Sequence, residues 1–210
     1  AIRLTPIANQ VGQSVITVTV EDAGLDNLID TLADNKTTSK QFTLTVTPVN
    51  DPPRVGAVND VAFVEDGTAT VPVTDINAGP NESQPLRVRA LSSNESLVLP
   101  EVTYTSPQNT ASITLTGGAD QVGSAVITVQ VTDGGADNDL ATEGDNLTTS
   151  TTFTVVVNPV NDAPTINSVD TVSVDEDGQL SVNLLGISAG GGETQSIRVS
   201  AVSLTAGLLA

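Results

Sequence analysis

Apolar and polar residues alternate along most of this chain, and the period is two. The runs Ser14-Val15-Ile16-Thr17-Val18-Thr19-Val20 and Ala125-Val126-Ile127-Thr128-Val129-Gln130-Val131 carry β-branched residues on both faces. Phe42-Thr43-Leu44-Thr45-Val46 and Phe153-Thr154-Val155-Val156-Val157 alternate in the same way. Such runs suit a pleated sheet and read as strands. Clusters of Gly, Pro, Asn and Asp separate them and supply the turns. Between residues 52 and 160 the pattern predicts seven strands, near 54–64 (kinked), 68–74, 85–92, 101–105, 110–116, 124–132 and 150–158. No stretch carries a helical period.

The pattern is written nearly twice. Asn50-Asp51-Pro52-Pro53 recurs 111 residues later as Asn161-Asp162-Ala163-Pro164. The same offset, without a gap, carries Val11-Gly12 onto Val122-Gly123, Glu65-Asp66-Gly67 onto Glu176-Asp177-Gly178, and Ala78-Gly79 onto Ala189-Gly190. A gapless repeat of domain size means tandem modules. With Asn-Asp-x-Pro as the joint, residues 1–51 are the C-terminal half of one module, 52–160 a complete module, and 161–210 the N-terminal half of another. Seven short strands without a helix give an all-β class, an immunoglobulin-like sandwich repeated in tandem. An odd strand number puts a module's ends at opposite poles, so modules follow head to tail and advance roughly 40 Å each. A half-module leaves apolar strand faces bare. That implies a window on a longer periodic chain, or units whose halves complete one another between molecules.

Composition narrows the chemistry. Aromatics are 2% and Trp, Met and Cys are absent, so Val, Ile, Leu and Ala must build the core. Without Cys there are no disulfides and no thiolate metal sites. A repetitive chain rich in Thr and Asn and free of Cys fits a bacterial surface protein. Without His the usual general base and transition-metal ligand are missing. The 25 acids against 7 bases, a net charge of −18, argue against nucleic acid, which is bound through Lys and Arg. They argue equally against insertion at anionic membranes, and no apolar run approaches the ~18 residues of a membrane span.

The acids gather at the joints. Loop polarity brings Asn161 and Asp162 to Glu65, Asp66 and Asp120. At the preceding joint, Asn50 and Asp51 should meet Asp75, Glu82 and the long loop of Asp133, Asp137, Asp139 and Asp145. Clustered carboxylates repel, and a hard cation offsets the repulsion: Ca²⁺ takes 6–8 oxygens from carboxylates, amides and carbonyls. Against this stands the plainer reading that acidic loops keep a surface protein soluble. The long loop is no EF-hand, because Asp133 is followed by Gly135 and Asp137 and no Gly stands sixth. Four glycosylation-type sequons, at Asn35, Asn81, Asn94 and Asn146, are ordinary for such a composition. Tyr104 and Phe63 read as core or strand-edge residues, and Arg87 and Arg198 as partners of neighbouring acids.

The phrases DINAGPNE (75–82), VTDGGADNDLATEGDN (131–146) and VNPVNDAPT (157–165) resemble the cadherin-like and immunoglobulin-like tandem repeats of large bacterial surface proteins and adhesins. The resemblance implies an extracellular or cell-surface stalk, fibre or adhesin shaft, often rigidified by Ca²⁺ at its joints. Its implied partners are copies of itself or adjoining repeats, head to tail, with a cell-surface or glycan ligand a further option. Cadherin linkers read D-x-N-D-N-x-P, whereas here Pro48 stands at the first Asp and Pro52 or Ala163 at the last Asn. One ion per joint, or one within the long loop, fits that departure better than a cluster. A carbohydrate-binding accessory module of a secreted protein is the alternative, but it needs an aromatic platform that these few aromatics can hardly make. An enzyme is not expected. Adjacent Glu65 and Asp66 recur in each repeat at a joint, and so suit a structural role rather than a glycosidase pair.

Overall fold

A computed structural model describes residues 1–30 and 33–208. Its described elements are all strands: β1 (Gly12–Glu21), β2 (Thr37–Val46), β3 (Val61–Val64), β4 (Thr68–Val73), β5 (Leu86–Ser92), β6 (Val98–Thr103), β7 (Ala111–Gly117), β8 (Gly123–Asp133) and β9 (Thr148–Asn158). The last seven form two sheets, ordered β3-β9-β8-β5 and β4-β7-β6. This is the immunoglobulin-like arrangement, with every pair antiparallel except β3 with β9, which run parallel. Side chains alternate along each strand, so every second residue points between the sheets. Val73, Ile113, Leu115, Ile127, Val129 and Val155 are fully buried there, and Phe153 joins them. Aliphatic residues thus make the core, as the composition requires. Phe63 and Tyr104 pack at its margin, and the Tyr104 hydroxyl donates to the Gln108 carbonyl at 2.9 Å.

The strand near 54–64 is divided. Arg54 bridges Asn77, beside the smaller sheet, and the chain then crosses to lay β3 along β9 in the larger one. The strand expected at 101–105 begins earlier, at Val98, and takes Pro100 into its ladder opposite Leu115. Proline weighs against a strand, yet β6 lies at the edge of its sheet, where a missing donor costs no ladder bond. Pro72 in β4, at the opposite edge, obeys the same rule.

The flanking segments repeat the local structure. β1 and β2 pair from Gly12↔Val46 to Glu21↔Thr37, the register of β8 and β9 moved by 111 residues. The bridge Thr165↔Ser188 likewise copies Arg54↔Asn77. No strand forms among the described residues 161–208. The physical reason lies in pairing: β3, β4 and β5 are held by β9, β7 and β8, and the counterparts of those partners belong to the other half of a repeat.

Candidate metal centre

The joint after the complete module is assembled from turns. Glu65 follows β3 and prolongs its ladder, its amide donating to the Asn158 carbonyl at 2.9 Å. Asp66 (φ 57°) and Asp120 (φ 55°) hold the left-handed conformation that tight turns need and aspartate tolerates. The loop after β3 and the loop before β8 therefore face Asn161 and Asp162 at the same pole. Asp66, Asp120 and Asp162 each present one carboxylate oxygen, all within 4.8 Å of one another. Glu65, 2% exposed, accepts the Val160 N–H through Oε1 at 2.8 Å, while its Oε2 has no partner. The Asp162 Oδ2 is also buried without a partner.

Residues beyond the joint complete the arrangement. The Asp162 amide donates to Glu193 Oε2 at 3.3 Å, and Gln195 Nε2 donates to Asn161 Oδ1 at 2.9 Å. Gly191 passes so close that an added Cβ would collide with the carboxylates of Asp162 and Asp120. Burial first, then the charges of Asp120, Asp66, Glu193 and Glu65, push the Asp162 carboxyl above the ordinary value of 3.8. Every charge acting on it has the same sign.

The preceding joint uses the same frame with different atoms. The Asp51 amide donates to both oxygens of Glu82, at 3.1 and 3.2 Å. Asn50 Nδ2 donates to Asp133 Oδ1 (3.2 Å) and to the Asp145 carbonyl (3.0 Å), while Gln84 Nε2 donates to Asn50 Oδ1 (2.7 Å). Asn9 stands where the later joint has Asp120, and Pro80 and Asn81 where it has Gly191 and Gly192. Asn81 Nδ2 donates to the Asn9 carbonyl at 2.7 Å, so a direct hydrogen bond ties the modules here.

The long loop orders itself through its backbone. Asp133, fully buried, accepts the amides of Gly135 (3.0 Å) and Leu147 (2.9 Å) through Oδ1, leaving Oδ2 unpartnered. Asp145 accepts the Ala136 amide at 2.7 Å and lies against Gly135, whose positive φ closes the turn. Asp137 and Asp139 each accept an amide two residues on, from Asp139 and Ala141. In the flanking hairpin, Asp22 accepts the amides of Lys36 and Gly24, and those bonds hold its carboxyl below the ordinary range. Asp75, a turn residue at φ 58°, lies beside Gly56, and no hydrogen bond links it to Asn50 or Asp51 among the described residues.

Of the residues singled out from sequence, Glu65, Asp66, Asp120, Asn161 and Asp162 come together at one joint, and Asn50, Asp51, Glu82, Asp133 and Asp145 at the other. Among the described residues, Asp75, Asp137 and Asp139 join neither through a hydrogen bond. Glu193, Gln84 and Gln195 were missed, although the offset of 111 maps Glu82 onto Glu193 and Gln84 onto Gln195. The later joint fits a hard cation: its donors are all oxygens, it draws on separate chain segments, and two buried carboxylate oxygens lack partners.

No family model matches this sequence, and no curated protein matches it. Among solved structures the chain is similar to domains 4 and 5 of the S-layer protein SbsC, at TM-score 0.35 and 15% identity over 74% of this chain and 82% of that one. A structure of SbsC domains 1–6 gives 0.37 and 15% over 85% of this chain and 21% of that one. The M1 domain of titin gives 0.32 and 12% over 52% and 95%. Likenesses this distant carry no argument about function.

Proposed function

We propose that this chain is a structural segment of a repetitive extracellular surface protein, a stalk, fibre or adhesin shaft, and that Ca²⁺ stiffens its module joint. The observation that supports the reading is the meeting of Asp66, Asp120 and Asp162 within 4.8 Å, with Glu65 buried behind them. Two of these residues come from loops of the complete module and one from the joint itself. Isolated, three carboxylates so close repel one another and hold the pieces apart; bound, a divalent cation neutralises them and ties the pieces together. Glu193, on the following segment, would bring the next module under the same hold. No carboxylate here needs a catalytic role, and we read the chain as non-enzymatic.

Calorimetric melting of the whole chain with Ca²⁺, with Mg²⁺ and with chelator tests this. A cation that binds only the folded state adds RT ln(1 + [L]/Kd), about 2.7 kcal/mol at a hundredfold excess over Kd. Ca²⁺ should raise the midpoint, Mg²⁺ should do so less, and Asp120→Asn should remove most of the effect. Curves that coincide under all three conditions would leave the acids as a solvated surface.

A further inference from the structure

We propose that three positions decide what kind of joint this chain makes. Asn9, Pro80 and Asn81 make a clasp held by hydrogen bonds, whereas Asp120, Gly191 and Gly192 at the same places make a hinge that closes on a divalent cation. One joint is thus fixed and the other switchable. The switchable half deepens the cation reading above and rests on it; the fixed half does not.

The two joints use one turn of the backbone twice. Gly79 and Gly190 have φ 126° and 116°, and two residues on Asn81 and Gly192 have φ 60° and 70°. In both, the aspartate amide of the joint donates to the glutamate after the turn, Asp51 to Glu82 and Asp162 to Glu193. What differs is what the turn carries. A Cβ added at Gly192 would stand 3.2 Å from the Asp120 carbonyl. Asn81 uses that nearness, for its Nδ2 donates to the carbonyl of Asn9 at 2.7 Å. Asparagine tolerates the left-handed φ that the turn requires. At the later joint the Asp120 carbonyl accepts Gln121 Nε2 at 3.2 Å, a bond within its own loop.

The neighbouring position sets the two designs apart. A Cβ at Gly191 would collide with the carboxylates of Asp120 and Asp162. At the earlier joint Pro80 takes that place, and neutral Asn9 stands where the second acid would be. Proline also fixes its own φ, which limits the swing of the turn with nothing bound. Asn50 reinforces this clasp through its bonds to Asp133, Asp145 and Gln84. Glycine at 191 and 192 sets no such limit. Asp66, Asp120 and Asp162 meet there and repel until a cation neutralises them. Glu65 Oε2 and Asp162 Oδ2, buried without partners, remain for the ion.

Spin-label distances across each joint of the whole chain test this, because it has no Cys to compete for the label. A label at exposed Thr70 pairs with one at exposed Thr45 across the earlier joint, and with one at exposed Thr194 across the later. The first distribution should be narrow and the same with Ca²⁺ and with chelator. The second should be narrow with Ca²⁺ and broaden in chelator. Asp120→Asn with Gly191→Pro and Gly192→Asn should transplant the fixed clasp, so that the later joint stays narrow in chelator and loses its response to Ca²⁺. Asn81→Gly keeps the turn but removes the donor, and should broaden the earlier joint under both conditions. The melting transition of the complete module, unchanged in every variant, controls for folding. An earlier joint that loosens in chelator, or that stays narrow in Asn81→Gly, would overturn the proposal. If Ca²⁺ narrows the later joint but the triple variant stays broad in chelator, the assignment of these positions fails and the cation reading stands. If the unaltered later joint ignores Ca²⁺ while the triple variant narrows it, the cation reading fails and the fixed clasp stands.

Discussion

Glu65 uses its two carboxylate oxygens differently, and substitutions can separate them. Oε1 holds the Val160 amide, and Oε2 is buried without a partner. Glu65→Gln keeps an acceptor for Val160 and removes a negative charge from an all-acid cluster. It should leave the chelated protein as stable as before, or more so, and abolish any Ca²⁺ shift in calorimetry. Glu65→Ala strands a buried N–H and should cost about 1–3 kcal/mol with or without Ca²⁺. Asp133→Ala orphans the amides of Gly135 and Leu147 together, so denaturant melts should show a loss of roughly 3 kcal/mol. Sequence alone treated Asp133 and Glu65 alike, as oxygen donors near a joint. Spacing does not reveal whether a backbone amide already occupies an oxygen, and that depends on turn geometry only coordinates supply.

Among the elements, alternation located every strand of the sandwich, since burial of one strand face forces the period that the sequence displays. Ends were less legible. Pro100 masked the start of β6 because a proline's cost depends on whether the strand is an edge, which is a property of the sheet. The turn at 190–193 was overlooked because its value lies in what is missing: Gly191 leaves room for the carboxylates of Asp120 and Asp162. Gly191→Ala should therefore displace both, lowering Ca²⁺ affinity measured by titration calorimetry at least about tenfold, in line with disturbed metal-ligand shells. Melting in chelator should barely change.

For the molecule as a whole, protons and cations should compete for the later joint. Asp162 has its carboxyl raised in the folded protein, so the folded state takes up a proton more readily than the unfolded one. By linkage, without divalent cations, the contribution of this carboxyl should grow as pH falls from the raised value toward 3.8 and be lost as pH rises through the raised value. With saturating Ca²⁺ the trend should vanish over that range, because a protonated Asp162 is a poor ligand and the Ca²⁺ contribution weakens as the carboxyl takes up its proton. Melting midpoints against pH, with Ca²⁺ and with chelator, should converge at the acid end. The repeat, the joint and its acidic character were all legible as a gapless offset. Asn9 in place of Asp120, and Pro80 in place of Gly191, acquire meaning only once the two joints are laid over each other.

The parallel contact of β3 with β9 has a mechanical consequence. Tension along a chain of such modules enters β3 from the joint before it and leaves β9 toward the joint after it. Because the strands run side by side in one direction, with Val61 opposite Val155 and Val64 opposite Asn158, the pull slides one along the other. Their hydrogen bonds then share the force and break together, whereas an antiparallel hairpin opened from its ends would unzip one rung at a time. A pulled chain should hold its length until this short clasp fails and then release one module's contour in a single step. Shortening the clasp with Ala62→Pro should lower the rupture force recorded by single-molecule stretching.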